Sequence, residues 1–154
     1  IDIKSVNKEN CERIIKLIGK TNQFKLNSNF YSLKQLLDNK VQSLSISFKD
    51  KFHNYGIISA LVYSVSKKDR YLEINNWVMS CRVFSRRIEN YIVAYLIKLM
   101  KKNKLDTIKL KFEKTKKNFY FKIFIKNFNT KIKKSGIFNT NIQKIKNDKK
   151  HYMN

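Results

Sequence analysis

Cys81 is followed at once by Arg82, and Arg86 and Arg87 come four and five residues later, inside the run Trp77-Val78-Met79-Ser80-Cys81-Arg82-Val83-Phe84-Ser85-Arg86-Arg87-Ile88-Glu89. The apolar start of this run reads as a buried strand, and its end opens an amphipathic helix. Amides at a helix start have no partner within the helix and attract anions. Clustered guanidinium groups repel one another unless an anion lies between them. The spacing therefore predicts a phosphate-bearing ligand held by Arg82, Val83, Phe84, Ser85, Arg86 and Arg87. A thiol beside a cation and a helix start is favoured as thiolate, the form that accepts an acyl group as a thioester. The competing reading of Cys81 is an inert core cysteine at the end of a buried strand, since free cysteine is among the most buried residue types.

Two further polar groups carry the same double reading. Thr21, Asn22 and Gln23 lie between two helices, where they either cap and bond the loop or recognise a hydroxylated acyl group. Thr115 and Asn118 precede a helix, and Asn118 either caps it or takes part in the chemistry. His53 falls in a turn and is expected to face solvent.

These residues need a scaffold, and apolar periodicity supplies one. A short strand over 1–6 leads to a helix over 8–19, with Asn7 as its cap and Cys11, Ile14, Ile15 and Ile18 on one face. Ser32 caps a second helix over 33–38. Three strands follow, over 44–48, 55–66 and 71–81, joined by short turns as an antiparallel meander. The helix expected over 85–103 carries Ile88, Tyr91, Ile92, Tyr95, Leu96, Leu99 and Met100 on one stripe. A strand over 105–112 completes a βαβ unit and should run parallel to the strand before it. A helix over 118–128 and edge strands within 131–145 complete the order β-α-α-β-β-β-α-β-α-β. The expected class is α+β, or α/β: a mixed sheet of about six to seven strands with helices on both faces.

Composition sets the outer bounds. With 154 residues, 42% of them hydrophobic, the chain reads as a single domain over 1–145 with a solvated basic tail over 146–154. The formal charge of +23 admits two readings: lysine accumulated by drift in an A/T-rich genome, or an anionic partner. The two cysteines and two histidines have no metal-ligand spacing, so no metal is expected. No apolar run reaches the length of a membrane span, and the cysteine usage fits a reducing cytoplasm. The first residue is Ile1 rather than Met, the pattern expected of a processed chain or of one domain of a longer protein.

The element order, with its anion-binding turn, resembles the GNAT acyltransferase fold. In that family the turn follows R/Q-x-x-G-x-G/A and its amides hold the pyrophosphate of coenzyme A; Arg82, Ser85 and Arg87 stand at the three marked positions. A closer resemblance lies in Lys20-Thr21-Asn22-Gln23-Phe24, in Asp50-Lys51-Phe52 with Asn54 and Gly56, in Met79 to Phe84, and in Thr115 with Lys117-Asn118. Over roughly residues 11–128 these blocks are similar to the carboxy-terminal half of the FkbH-like proteins. In that family a HAD-like phosphatase region precedes a GNAT-like region, and a glyceryl group moves onto an acyl-carrier-protein thiol. The resemblance implies Cys81 and Asn118 as catalytic, and Thr21, Asn22, Gln23, Asn54 and Thr115 as substrate-binding. It implies carrier-bound phosphopantetheine or coenzyme A as cofactor. It also implies an acyl carrier protein and a HAD-like region, absent from this chain, as partners. Lys114 replaces the family's proline in the late loop, and Ile125 stands where many GNAT enzymes place a tyrosine that protonates the leaving thiolate.

The expected function is thus acyl transfer of a short hydroxyacyl group on a carrier-protein thioester. Two alternatives remain: a GNAT-shaped module that only docks the carrier, and a basic nucleic-acid-binding domain whose aromatics over 116–128 stack on bases. A buried amphipathic helix accounts for those aromatics better than base stacking does.

Overall fold

Alternating apolar residues with few breakers make long strands here, and side-chain oxygens close the turns between them: Asp50 in the first and the Ser66 hydroxyl, accepting from Asp69 N–H, in the second. Asp50 Oδ1 accepts from the amides of Phe52 and His53, closing the first hairpin at 2.9 and 2.7 Å. The computed structural model describes residues 1–38 and 40–126 and the backbone of 137–141. In chain order it contains β1 (Asp2–Ser5), α1 (Cys11–Lys20), β2 (Phe24–Lys25), α2 (Leu33–Leu37), β3 (Gln42–Lys49), β4 (Asn54–Ser66) and β5 (Tyr71–Met79). A 3-10 turn over Cys81–Val83 precedes α3 (Ile88–Lys102), β6 (Thr107–Lys111), α4 (Phe119–Lys126) and β7 (Ile137–Asn141).

The sheet order is β1-β3-β4-β5-β6-β7, with β2 paired to β5 off this path. Among the described strands only β5 and β6 run parallel, joined through α3 as the βαβ reading requires. Helices cover both faces. Ala60, Val62 and Val78 pack with Ile14, Leu17 and Ile18 of α1 and Leu36 of α2. Leu61, Ile74, Trp77 and Met79 face the other way, against Ile88, Ile92, Leu96 and Met100 of α3 and Phe121, Phe124 and Ile125 of α4. The mixed α+β sandwich expected from the sequence is the observed architecture.

One irregularity matters for the site. Tyr63 pairs with Ile74 and Val62 with Asn76, so Asn75 is an extra residue, a bulge in β5. The parallel pairing with β6 ends at Ile74, one residue before it. Beyond the bulge β5 leaves β6, and β2 pairs with it instead: Phe24 opposite Met79, Lys25 opposite Val78.

Several boundaries differ from expectation. β5 stops at Met79, and Ser80 turns the chain, so Cys81 is not at the end of a buried strand; it is exposed. α3 starts at Ile88 rather than 85, because Ser85 and Arg87 sit in the left-handed region at φ 67° and 55° and cannot continue a right-handed helix. Its stripe is rotated: Val93 and Ile97 are buried and Tyr91 is exposed. α1 begins at Cys11, after a turn in which Asn7 Oδ1 accepts from the amides of Glu9 and Asn10. Ser32 and Gln35 form the reciprocal cap of α2. The strand β2 was not expected. β7 lies where an edge strand was anticipated, and the tail over 146–154 lies outside the described residues.

Candidate functional site

The β2–β5 register builds the site. In antiparallel pairing, the residues before Phe24 run alongside those after Met79. Thr21, Asn22 and Gln23 are therefore brought beside Ser80, Cys81 and Arg82, although the two blocks are far apart in sequence. Both stretches are pinned. Thr21 N–H bonds Leu17 O at the end of α1, and Gln23 O accepts from Phe121 N–H at 3.3 Å. Ser80 N–H bonds Ile58 O at 2.8 Å, and Ser80 Oγ accepts from the amide and Nε of Arg82. Val83 is fully buried and Phe84 stacks on Tyr120 at 4.1 Å, so the turn is anchored from below while Cys81 and Arg82 project outward.

Together these residues line a groove of 490 Å³ with Arg13, Lys16 and Lys20 of α1, Phe84 and Lys117. Among the described residues, five cationic side chains border it and no carboxylate lines it. Such a groove attracts a phosphate, with a thiol on its wall.

The anion nest expected at the turn takes a different form. The amides of Arg82, Val83, Phe84 and Arg86 bond Ser80 Oγ, Ser80 O, Cys81 O and Val83 O in turn. Arg86 faces away from the groove: Nη1 contacts Asp50 Oδ2 at 2.8 Å and Nη2 donates to Tyr55 Oη at 2.7 Å. The amides of Phe52 and His53, with Arg86, hold the Asp50 carboxyl below its ordinary range. The first turn of α3 also carries its own carboxylate. Burial raises Glu89 above its ordinary value of 4.5, and its Oε2 has no partner among the described residues. Ser85 and Arg87 adopt the left-handed backbone that glycine favours, yet carry side chains. These residues do not fit the pyrophosphate of coenzyme A at this turn.

The remaining candidates lie outside the groove. Asn118 is 1% exposed, and its amide is fully engaged: Nδ2 donates to Lys25 O and Glu113 O at 3.0 and 2.7 Å, and Oδ1 accepts from Thr115 N–H at 2.8 Å. Its side chain ties β2 to the loop before α4, and its backbone carbonyl accepts from Lys122 N–H of that helix. Thr115 Oγ1 accepts from the amides of Lys117 and Asn118, closing that loop. Asn54 opens β4, its Oδ1 accepting from Gly56 N–H at 3.0 Å. Ile125 is a core residue, 3% exposed. Arg13, Lys16 and Lys20 were missed in the sequence. Their spacing of three and four residues on α1, opposite the buried Ile14 and Ile18, was the available signal.

No protein-family model and no curated protein matches the chain. Solved structures do. An acetyltransferase of the GNAT family from Staphylococcus aureus Mu50 superposes with TM-score 0.68 at 13% identity, covering 92% of this chain and 98% of that one. The ribosomal-protein-S18-alanine N-acetyltransferase of Escherichia coli gives 0.64 at 11% identity, over 92% and 93%. The spermidine/spermine N-acetyltransferase SpeG of Vibrio cholerae, in mutant forms, gives 0.66 at 11%, over 96% and 97%. At these identities the likeness is one of fold: the chain has the GNAT acetyltransferase fold.

Proposed function

We propose that this chain handles a short hydroxyacyl group, of glyceryl type, carried as a thioester on the phosphopantetheine arm of an acyl carrier protein. The observation that supports this reading is the convergence of Thr21-Asn22-Gln23 with Ser80-Cys81-Arg82 in one basic groove. These are the two blocks in which the chain resembles the FkbH-like proteins. In this reading Arg13, Lys16, Lys20, Arg82 and Lys117 hold the arm's phosphate, and the Asn22 and Gln23 amides bond the acyl hydroxyls. Cys81 Sγ attacks the thioester carbonyl, a new C–S bond forms, the bond to the pantetheine sulfur breaks, and that sulfur leaves with the proton lost by Cys81. Attacking and leaving groups are both alkyl thiols, so the exchange needs no strong general acid. A core isoleucine at position 125 is compatible with that chemistry. In the loading direction a HAD-like region in the same or a neighbouring polypeptide would supply the acyl group to Cys81, and the reverse of this exchange passes it to the carrier thiol.

A second reading, a docking module without chemistry, draws support from the turn: the amides of Arg82, Val83, Phe84 and Arg86 are engaged within it, and the Arg86 guanidinium is paired. Intact-protein mass spectrometry after mixing with acylated carrier separates the two. The transfer reading expects the acyl mass on this chain, lost in Cys81→Ser. Carrier binding with no mass gain would leave the docking module.

A further inference from the structure

Beyond the Asn75 bulge β5 has an edge that β6 does not pair, where an extended ligand leaving the 80–87 turn could continue along the sheet by main-chain hydrogen bonds. That edge is filled by the chain itself. Leu26 N–H donates to Trp77 O at 2.9 Å, following the Phe24–Met79 and Lys25–Val78 pairs. On its other side the same segment is bonded to the chain after β6, through Glu113 N–H to Leu26 O at 3.0 Å and Asn118 Nδ2 to Lys25 O. Asn27, 5% exposed, spans the gap itself: its Nδ2 donates to Asn75 O on β5 and Lys111 O on β6, at 2.8 and 3.3 Å. Nor is the segment a loose plug. Phe24 is fully buried, with ring centroids 5.3 Å from Trp77, 4.7 Å from Phe121 and 5.3 Å from Phe124.

We infer that Phe24–Asn27 is a fixed strand closing the gap between the diverging parallel strands, so that this chain does not bind free coenzyme A along β5 and admits only a ligand entering end-on through the groove at Cys81. Exclusion of the free coenzyme follows from the closed edge, together with the side chains that Ser85 and Arg87 carry at left-handed positions of the turn. The nature of the ligand that does enter rests on the proposed function. A carrier-bound arm has one phosphate and a protein at its far end. It meets the basic rim without needing the pyrophosphate nest or the sheet edge. Phe24, Leu26 and Asn27 are then specificity-determining residues that touch no substrate.

The test is an amide-resolved titration of the full chain at about 0.3 M salt, where exposed charges are largely screened. The probes are free coenzyme A, ATP as a polyphosphate control, and phosphopantetheinylated carrier. With coenzyme A, the Leu26, Val78 and Met79 amides are expected to stay in place and Leu26 to keep its protection from exchange. Any shifts should be confined to the cationic rim and reproduced by ATP. Asn27→Ala, which releases two carbonyls across the gap, is expected to raise Leu26 exchange at least tenfold and so shows that the probe reports opening. Saturable coenzyme A binding that ATP does not mimic, with Leu26 losing protection, would overturn the inference whatever the carrier does. Absence of binding by both coenzyme A and carrier supports the closed edge and removes the proposed function instead.

Discussion

Replacing Asn118 by alanine distinguishes a residue that positions the site from one that acts on substrate. The side chain is 1% exposed and makes three hydrogen bonds: to Lys25 O, to Glu113 O and from Thr115 N–H. A neutral intramolecular bond contributes about 0.5–1.5 kcal/mol net, and a buried partner left unpaired costs more. Glu113 and Thr115 are exposed, so water can replace those contacts; Lys25 O is the half-buried partner that loses most. The expected loss is about 2–3 kcal/mol. For a domain of this size each kcal/mol lowers Tm by about 2–4 °C, giving a drop of about 4–12 °C. Urea titration and thermal melts followed by circular dichroism measure both. Asn118→Asp keeps the acceptor for Thr115 but turns a carboxylate oxygen toward two carbonyls, so it should destabilise at least as much. A loss under about 0.5 kcal/mol with unchanged Leu26 exchange would refute the reasoning. Full stability with loss of acyl loading would make Asn118 a substrate-contacting group.

Glu89→Gln tests the buried carboxyl. A carboxyl raised in the folded state contributes fully to stability below the unfolded value near 4.5, and that contribution is lost as pH rises through the folded value. The variant should therefore exceed the parent in stability at pH 7, with the gap closing below about pH 4.5. A gap that widens on acidification would contradict the burial. Lys16→Glu should slow carrier association and flatten its salt dependence, read by stopped-flow at two ionic strengths, with Tm within about 2 °C of the parent. Arg87→Gly relieves left-handed strain of about 1 kcal/mol, partly offset by a freer unfolded chain, so a small rise in Tm is expected where most glycine substitutions give a fall.

The parts of the fold with a local signal were legible. The existence of α3 with Ile88, Ile92, Leu96 and Met100 facing the core, the Ser32–Gln35 cap, the three-strand meander and the parallel β5–β6 pair all follow from periodicity, capping chemistry or the short connections between consecutive elements. What escaped is non-local. β2 has only two residues and no period; it exists because a bulge opens an edge on a strand more than fifty residues away. The start of α3 was misplaced because left-handed residues at 85 and 87 are serine and arginine, not the glycines that signal such a turn. The Arg82–Arg86–Arg87 cluster was readable as charge. Nothing near Arg86 in sequence reveals that Asp50, thirty-six residues earlier, already pairs with it. The groove itself was half legible: its polar and thiol walls were, and its cationic wall on α1 was not.

The claim beneath all of this is that the groove brings a carrier's pantetheine sulfur up to Cys81. Mixed-disulfide trapping measures that proximity directly, by oxidising the chain with thiol-bearing carrier and mapping the adduct by peptide mass spectrometry. The account predicts one adduct, at Cys81 and not at the fully buried Cys11, forming much faster with carrier than with free pantetheine and slowed by Arg13→Glu with Lys16→Glu. A Cys81 adduct that forms no faster with the carrier than with free thiol, and ignores those charge reversals, would contradict it.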